Sequence, residues 1–422
     1  MIGIDGVPFE LAKNYAESGI MPRLRDILGR GKMIPMSVPL PEISSVSWSS
    51  FMTGVNPGEH GIFGFVDIHE GSYRYRYPDF RDLQAPPFFD DLGERRIRSV
   101  IINLPSTYPA REIPGVLISG FVVPDLKRAV FPEYYLKILE EFGYEVDVDA
   151  NKGRDRKLEL ISDLHYTLQV RKQVADFLWR RENWDLFMLT ITGTDRLNHF
   201  FFDCYSDTSH EFHLEFKNYY REIDRIIGEF YDRIKENDEY ELILLSDHGF
   251  VDLKLEIYVN SILRNNGYFL AESHEASSLE HISAEAKAFA LDPSRIFIHL
   301  KGKFPRGNVN QTDYHRVRQD IKHLFEEYRI GNRNVIKKVF FKEEIYQGKN
   351  IDRAADIVLL SNRGFDLKAG FNKQVEYDKT HFPGMHCFDN ALFYSSQPGL
   401  LSDKISISEV KDHIFSLLNI KI

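Results

Sequence analysis

The sequence predicts an α/β protein in which a mostly parallel central sheet carries helices on both faces. Short apolar runs such as residues 99–103 (SVIIN) and 185–191 (DLFMLTI) alternate with long helical stretches such as 158–181. Buried runs of this length separated by helices are typical of parallel strands covered on both sides. Ligands in such sheets gather beyond the carboxyl ends of the strands, so polar residues just after each run are candidates for a site.

The elements follow in order along the chain. A short strand at 1–4 ends in Asp5-Gly6, and an amphipathic segment at 9–30 is broken by Gly19 and Pro22. The other predicted elements are helices at 87–94, 158–181, 212–236 and 314–328 and strands at 99–103, 185–191, 241–245, 295–300 and 391–394.

Two regions interrupt this alternation. Residues 123–157 are charged and contain Pro and Gly, which predicts a candidate lid near the site. Residues 251–379 mix a strand with helices, which predicts a small inserted α+β subdomain. We therefore expect one core built from 1–250 and 380–422, with 251–379 inserted into it.

Composition bounds the class of protein. The chain has 422 residues, 43% of them apolar and 27% charged, which suits a globular protein with a sizeable core. A net charge of −10 argues against a general nucleic-acid binder. We find no apolar run long enough for a membrane span and no signal peptide, and two cysteines suit a reducing compartment, so we expect a cytoplasmic protein.

Two Asp/His pairs follow predicted strands. Asp247 and His248 come directly after the apolar run ELILL, where both side chains could point into one crevice. Asp195 and His199 are spaced i, i+4, so they share one face of a helix that starts near Asp195. Carboxylate and imidazole together suit Zn²⁺ or Mn²⁺. The structural alternative is a helix cap or turn at each aspartate, with an ordinary histidine beside it.

Two further signals complete the candidate site. The hydroxyl-rich stretch 41–54 (PEISSVSWSSFMTG) suits a loop entering a helix that ends at Gly54. A nucleophile at such a helix N-terminus gains from free N–H groups, although serial capping by serines explains the same pattern. His386 is uninformative alone, but it would complete a three-ligand set with Asp195 and His199.

These motifs resemble the alkaline phosphatase superfamily, in particular the type I phosphodiesterase/nucleotide pyrophosphatase group and its predicted phosphohydrolase branch in bacteria and archaea. The likeness runs from IGIDG through SWSSFMTGVNPGEHGIFGF, TGTDRLNHFFF and LLSDHGF to GMH. It implies an alkaline phosphatase-like fold with two divalent metal ions, Zn²⁺ first and Mn²⁺ as the alternative.

The resemblance also implies roles for individual residues. Asp5, Asp247 and His248 match the ligands of one metal ion, and Asp195, His199 and His386 match those of the other. Ser44 matches the nucleophile, which also contacts the metal, where close relatives carry threonine; Ser45 is the alternative. Ser47 stands where nucleotide pyrophosphatases have an asparagine that holds the phosphoryl group. We infer from position alone that the backbone N–H of Ser45 and the side chains of Arg196 and Asn198 contact the nonbridging oxygens of the substrate, with a surface salt bridge as the alternative for Arg196.

The expected function is hydrolysis of a small phosphorylated substrate through a covalent phosphoserine. The resemblance favours phosphodiester or nucleotide pyrophosphate bonds. A phosphomonoesterase or a phosphoglycerate mutase-like phosphotransferase is the alternative within the fold, and a non-catalytic metal-binding protein is the alternative of another class. The sequence leaves the oligomeric state open.

Overall fold

The computed structural model describes residues 1–237, 239–272 and 278–420. The chain divides into two compact units. The core unit comprises Met1–Val55, Asp79–Asp252 and the chain from His381 onwards, and the second unit comprises Asn56–Pro78 and Leu253–Thr380. The second unit thus takes in Asn56–Pro78, a stretch that the sequence analysis assigned to the core.

The core unit contains one nine-stranded sheet among the described residues. In spatial order its strands are Ile405–Ser406, Lys32–Ser37, Ala391–Ser395, Ile243–Leu245, Ile2–Ile4, Leu186–Ile191, Ser99–Leu104, Gly115–Ser119 and Val130–Phe131.

Five neighbouring strands in the middle of this sheet run parallel, from Ile243–Leu245 across to Gly115–Ser119. The strand Ile2–Ile4 lies between Leu186–Ile191 and Ile243–Leu245 and pairs with both. Antiparallel pairing appears only toward the two sides of the sheet in the described chain. The predicted fold class, an α/β fold with a mostly parallel central sheet, is confirmed.

Neighbouring residues of a strand point to opposite faces of the sheet, so a fully buried strand needs apolar cover on both faces. Helices provide that cover here. Val100 and Ile102 pack into one hydrophobic core together with residues of the two longest helices, Lys157–Arg181 and His213–Ile234. Ile101 packs into the other core with Trp48 and residues of shorter helices. The helices of the core unit are Phe9–Glu17, Pro22–Leu28, Ser44–Thr53, Phe88–Glu94, Tyr135–Phe142, Lys152–Asp155, Lys157–Arg181, Gly193–Phe201, Asp203–Ser206, His213–Ile234 and Val410–Leu417.

A two-stranded pair extends the core unit beside the sheet. Gly249–Asp252 runs antiparallel to Gly384–Cys387, with Phe250 opposite His386. This pair brings a residue from near the carboxyl end of the chain next to the Asp247-His248 segment.

The second unit is α+β. Its largest sheet has four antiparallel strands in the order Ala288–Leu291, Arg295–Ile298, Ile357–Ser361 and Ile336–Phe341. Its other strands are Leu255–Tyr258, Phe365–Lys368, Tyr377–Asp378, Asp67–Ile68, Tyr75–Arg76, Arg329–Ile330 and Arg333–Asn334, and its helices are Pro57–His60, Val259–Asn265, Tyr314–Glu326 and Lys342–Ile345.

No helix in the described part of the chain is both long and apolar enough to cross a bilayer. The longest one, Lys157–Arg181, buries Leu160, Leu164 and Leu168 along one face, and the charged Arg171 is buried with them.

Candidate active site

Three aspartates lie at the carboxyl edge of the parallel sheet. Asp5 follows the strand Ile2–Ile4, and its N–H donates to the Ile191 carbonyl at 2.9 Å. Asp247 follows the neighbouring strand Ile243–Leu245, and Asp195 lies in the first turn of the helix after Leu186–Ile191. Because adjacent parallel strands end at the same edge, three segments far apart in sequence deliver their carboxylates to one place.

Asp5, Asp247 and His248 form the first cluster of ligand atoms, all within 4.8 Å of one another. His248 Nε2 lies 3.6 Å from Asp5 Oδ1 and 3.4 Å from Asp247 Oδ2. All three residues are buried. The sequence-predicted ligands of the first metal ion are therefore brought together.

Asp195, His199 and His386 meet in a second cluster beside the first. Asp195 Oδ1 lies 3.1 Å from His386 Nε2 and 3.4 Å from His199 Nε2, and the two imidazole nitrogens are 2.9 Å apart. His248 Nε2 is 3.8 Å from the same Asp195 oxygen, and its ring stacks on that of His386 at 3.7 Å between centroids. His248 therefore adjoins both clusters.

Backbone carbonyls orient two of the imidazoles. His248 Nδ1 lies 3.2 Å from the Gly249 carbonyl, and His386 Nδ1 lies 3.0 Å from the Glu42 carbonyl. In each ring Nδ1–H donates to the carbonyl, so Nε2 is the nitrogen that faces the clusters. Histidines that bind a metal ion commonly donate their other ring N–H in this way.

Each aspartate has one carboxylate oxygen held by a donor of the protein. Trp48 Nε1 donates to Asp5 Oδ2 at 3.1 Å, and the Gly6 N–H donates to Asp247 Oδ1 at 3.0 Å. Arg196 Nη1 donates to Asp195 Oδ2 at 2.9 Å. The other oxygen of each pair faces the histidine nitrogens. The sequence analysis missed Trp48 as an orienting residue, although it lies one helical turn after Ser44.

Gly6 is required at its position. It has a φ of +65°, and a Cβ there would lie 2.8 Å from the Phe250 ring. A side chain would therefore be strained and would collide with its neighbour, shifting the N–H that holds Asp247.

The electrostatics favour a cation. Burial, and then the nearby Asp247 and Asp195 carboxylates, raise the pKa of Asp5 well above its ordinary value. Burial also raises the pKa of Asp247 to about 6 and lowers the pKa of His248 to about 3. Asp247 Oδ2 is buried with no hydrogen-bond partner among the described residues. A divalent ion would supply the missing partner and the missing charge, so the donor set fits such an ion.

Asp195 differs from the other two carboxylates. Burial opposes its ionisation, but His199, His386 and Arg196 outweigh burial and hold the pKa of Asp195 below its usual range. Asp195 is therefore ready to bind as an anion.

Ser44 begins the helix Ser44–Thr53, which ends at Gly54 in the left-handed conformation, as the sequence predicts. Its Oγ lies 3.3 Å from His248 Nε2 and 3.5 Å from Asp5 Oδ1. The N–H groups of Ser44 and Ser45 begin the first turn, where no earlier carbonyl of the helix is in reach, whereas those of Val46 and Ser47 donate to the Ile43 carbonyl at 3.0 Å. Ser44 thus combines a hydroxyl at the first cluster with a helix N-terminus suited to phosphate oxygens.

The other predicted contacts have different surroundings. The hydroxyls of Ser45 and Ser47 are buried and have no hydrogen-bond partner in the described chain. Asn198 is fully buried; its Nδ2 donates to the Gly6 carbonyl and its Oδ1 accepts from Tyr220, both at 2.9 Å. Both polar ends of Asn198 therefore have partners inside the protein, and its contact with substrate stays a prediction. Arg196 forms a salt bridge with Asp195, and 17% of its side chain is exposed; its contact with substrate stays a prediction.

A search of curated proteins finds no match. Phosphonoacetate hydrolase from Sinorhizobium meliloti 1021, solved with phosphonoformate, has a similar structure: the TM-score is 0.66 at 15% identity, covering 99% of this chain and 95% of that one. Murine ectonucleotide pyrophosphatase/phosphodiesterase 5, solved as an inactive variant with AMP, gives a TM-score of 0.57 at 13% identity, covering 100% and 95%.

The family model described as type I phosphodiesterase/nucleotide pyrophosphatase matches residues 1–389. That range contains all seven residues of the two clusters and the serine. The chain belongs to the type I phosphodiesterase/nucleotide pyrophosphatase family.

Proposed function

We propose that this protein hydrolyses phosphate esters, with a preference for phosphodiester or nucleotide pyrophosphate bonds, by means of two divalent cations and a serine nucleophile. Family membership supports the reaction class. The observation that carries the proposal is the position of Ser44 Oγ, within 3.5 Å of both Asp5 and His248 and at a helix N-terminus.

The two clusters divide the work of holding cations. Asp5, Asp247 and His248 would hold one ion, and the second cluster of Asp195, His199 and His386 would hold the other. When bound, such ions would offset phosphoryl charge, lower the pKa of the serine hydroxyl and activate water. Carboxylate oxygens mixed with imidazole nitrogens favour Zn²⁺, with Mn²⁺ as the alternative.

The chain's own groups then account for two displacement steps. Ser44 Oγ attacks phosphorus while the bond to the leaving oxygen breaks, and the N–H groups of Ser44 and Ser45 hold the nonbridging oxygens. Water next hydrolyses the phosphoserine and restores the hydroxyl. One water is consumed, with its oxygen on phosphorus and a proton on the leaving group.

The preference for a diester rests on the family, not on a residue of this site. A phosphomonoesterase or a mutase-like phosphotransferase would use the same clusters and the same serine. A non-catalytic metal-binding protein would use the clusters alone.

The test compares bis-p-nitrophenyl phosphate with p-nitrophenyl phosphate in the presence of Zn²⁺ or Mn²⁺. We expect faster turnover of the diester and a loss of roughly a thousandfold or more in kcat for Ser44→Ala. Ser49→Ala is the matched control, because its hydroxyl is also buried but has no hydrogen-bond partner among the described residues and lies farther along the same helix.

Each of the other outcomes would support a different function or a different nucleophile. Faster turnover of the monoester would favour the phosphatase or phosphotransferase. Loss of activity in Ser45→Ala instead of Ser44→Ala would identify Ser45 as the nucleophile. Metal binding without turnover of either substrate would favour the non-catalytic alternative.

A further inference from the structure

Arg196 lies between two carboxylates, only one of which belongs to the candidate metal centre. Its Nη1 donates to Asp195 Oδ2 at 2.9 Å, while its Nε and Nη2 both donate to Asp147 Oδ2, at 3.1 and 2.6 Å. The guanidinium also covers the Phe121 ring at 4.5 Å. The exposed fractions of the side chains are 17% for Arg196, 16% for Asp147 and 7% for Asp195.

Asp147 lies within the candidate lid region predicted from the sequence, between the helices Tyr135–Phe142 and Lys152–Asp155. Its second oxygen, Oδ1, accepts from the Val148 N–H at 2.9 Å. The preceding residue is anchored as well, since the buried Arg171 donates to the Val146 carbonyl at 2.7 Å. Asp147 is therefore held by contacts that do not involve the metal centre.

Two consequences follow for Asp195. Because Arg196 occupies Oδ2, only Oδ1 is directed at His199 and His386, so Asp195 is set up to offer one oxygen. An arginine beside a cation site would normally repel the cation, and Asp147 supplies a charge that offsets this. The planar guanidinium of Arg196 donates to both carboxylates at once, which a lysine could not do in the same geometry.

We propose that Asp147 is a positioning residue that acts through Arg196 to orient Asp195 and to set the affinity of the second cluster for its cation. This inference rests on the proposed two-cation function. It assigns a role in metal binding to a segment that supplies none of the predicted ligands.

The test measures Zn²⁺ binding to the purified full chain by competition with a chromophoric chelator, so that the two dissociation constants are obtained without an activity assay. We expect Asp147→Asn to raise the Kd of one ion by about tenfold or more and to leave the other nearly unchanged. Damage to the fold would weaken both ions, so the asymmetry separates positioning from a merely structural role.

Three further variants sharpen the result. Asp149→Asn removes the same charge from the same segment, but Asp149 is 49% exposed and faces Asn151 and Arg156, so we expect little change. In an Arg196→Met background, Asp147→Asn should have no more effect than Asp149→Asn, because the guanidinium that links Asp147 to Asp195 is absent. Arg196→Lys keeps every charge and should still weaken the second ion, which covers the case in which Asp147→Asn folds poorly.

The outcomes also separate this inference from the proposed function. A wild-type chain that binds neither Zn²⁺ nor Mn²⁺ would overturn both. Two bound ions in the wild type, with Asp147→Asn indistinguishable from Asp149→Asn, would overturn the role of Asp147 alone. An equal effect of Asp147→Asn with and without Arg196 would do the same.

Discussion

Removing the Asp247 carboxylate should make the metal-free protein more stable while it destroys the first metal site. Asp247 is fully buried, and one of its oxygens has no hydrogen-bond partner among the described residues. Burial raises its pKa from an ordinary value of 3.8 to about 6. At pH 7 the ionised group therefore costs the metal-free fold about 3 kcal/mol relative to the unfolded chain.

The sign of the pH dependence follows from the raised pKa. Because the folded state holds this proton more tightly than the unfolded chain, stability from this group is present at low pH and is lost as the pH rises from about 4 through about 6. In Asp247→Asn the amide oxygen can still accept from the Gly6 N–H, and nothing remains to ionise. We expect a gain of about 2–3 kcal/mol at pH 7 that shrinks to below about 1 kcal/mol at pH 4.

The assay is urea unfolding of the wild type and Asp247→Asn, in chelator and again with Zn²⁺, at both pH values. The matched control is Asp195→Asn, which removes a ligand of the second cluster. The pKa of Asp195 is held below its usual range by His199, His386 and Arg196, against the effect of burial, so we expect this variant to destabilise the metal-free protein. A metal-free Asp247→Asn that is less stable than the wild type at pH 7 would refute the reasoning.

Two other predictions concern the tryptophan beside Asp5 and a histidine of the second unit. Trp48→Phe removes the 3.1 Å hydrogen bond to Asp5 Oδ2, so we expect the Kd of the first ion to rise about tenfold in the chelator competition; an unchanged Kd would show that the bond does not orient Asp5. Burial lowers the pKa of His60 to about 3, so stability from the neutral ring is lost as the pH falls below about 6.5. By pH 5 the loss should reach about 2 kcal/mol, and urea midpoints for His60→Asn should fall less between pH 7 and pH 5 than those of the wild type.

Much of the site could be predicted because its residues follow directly after strands whose ends meet at one edge of the sheet. Asp5 and Asp247 each follow a short apolar run, and parallel strands end at the same edge. Asp195 and His199 have the i, i+4 spacing of one helix face, and the helix Gly193–Phe201 is present. These patterns are local in the sequence, so the positions of these residues at strand ends and on one helix face could be predicted without knowledge of the tertiary structure.

Other features depend on tertiary pairing that no local pattern encodes. His386 reaches the site because Gly384–Cys387 pairs with Gly249–Asp252, a contact between segments separated by most of the second unit. Asp147 lies in an irregular segment with no periodicity, so its contact with Arg196 had no sequence signal. Asn198 was assigned to substrate from its position near the ligands, and no local pattern showed that its amide joins the Gly6 carbonyl to Tyr220.

The central claim is that Ser44 and two bound cations together cleave phosphate esters. The most direct measurement follows hydrolysis of bis-p-nitrophenyl phosphate while Zn²⁺ is returned stepwise to chelator-stripped protein. We predict that activity rises to a plateau at two ions per chain, and that Ser44→Ala binds the same two ions but stays inactive. Full activity in the stripped protein, or a Ser44→Ala variant as active as the wild type, would contradict the claim.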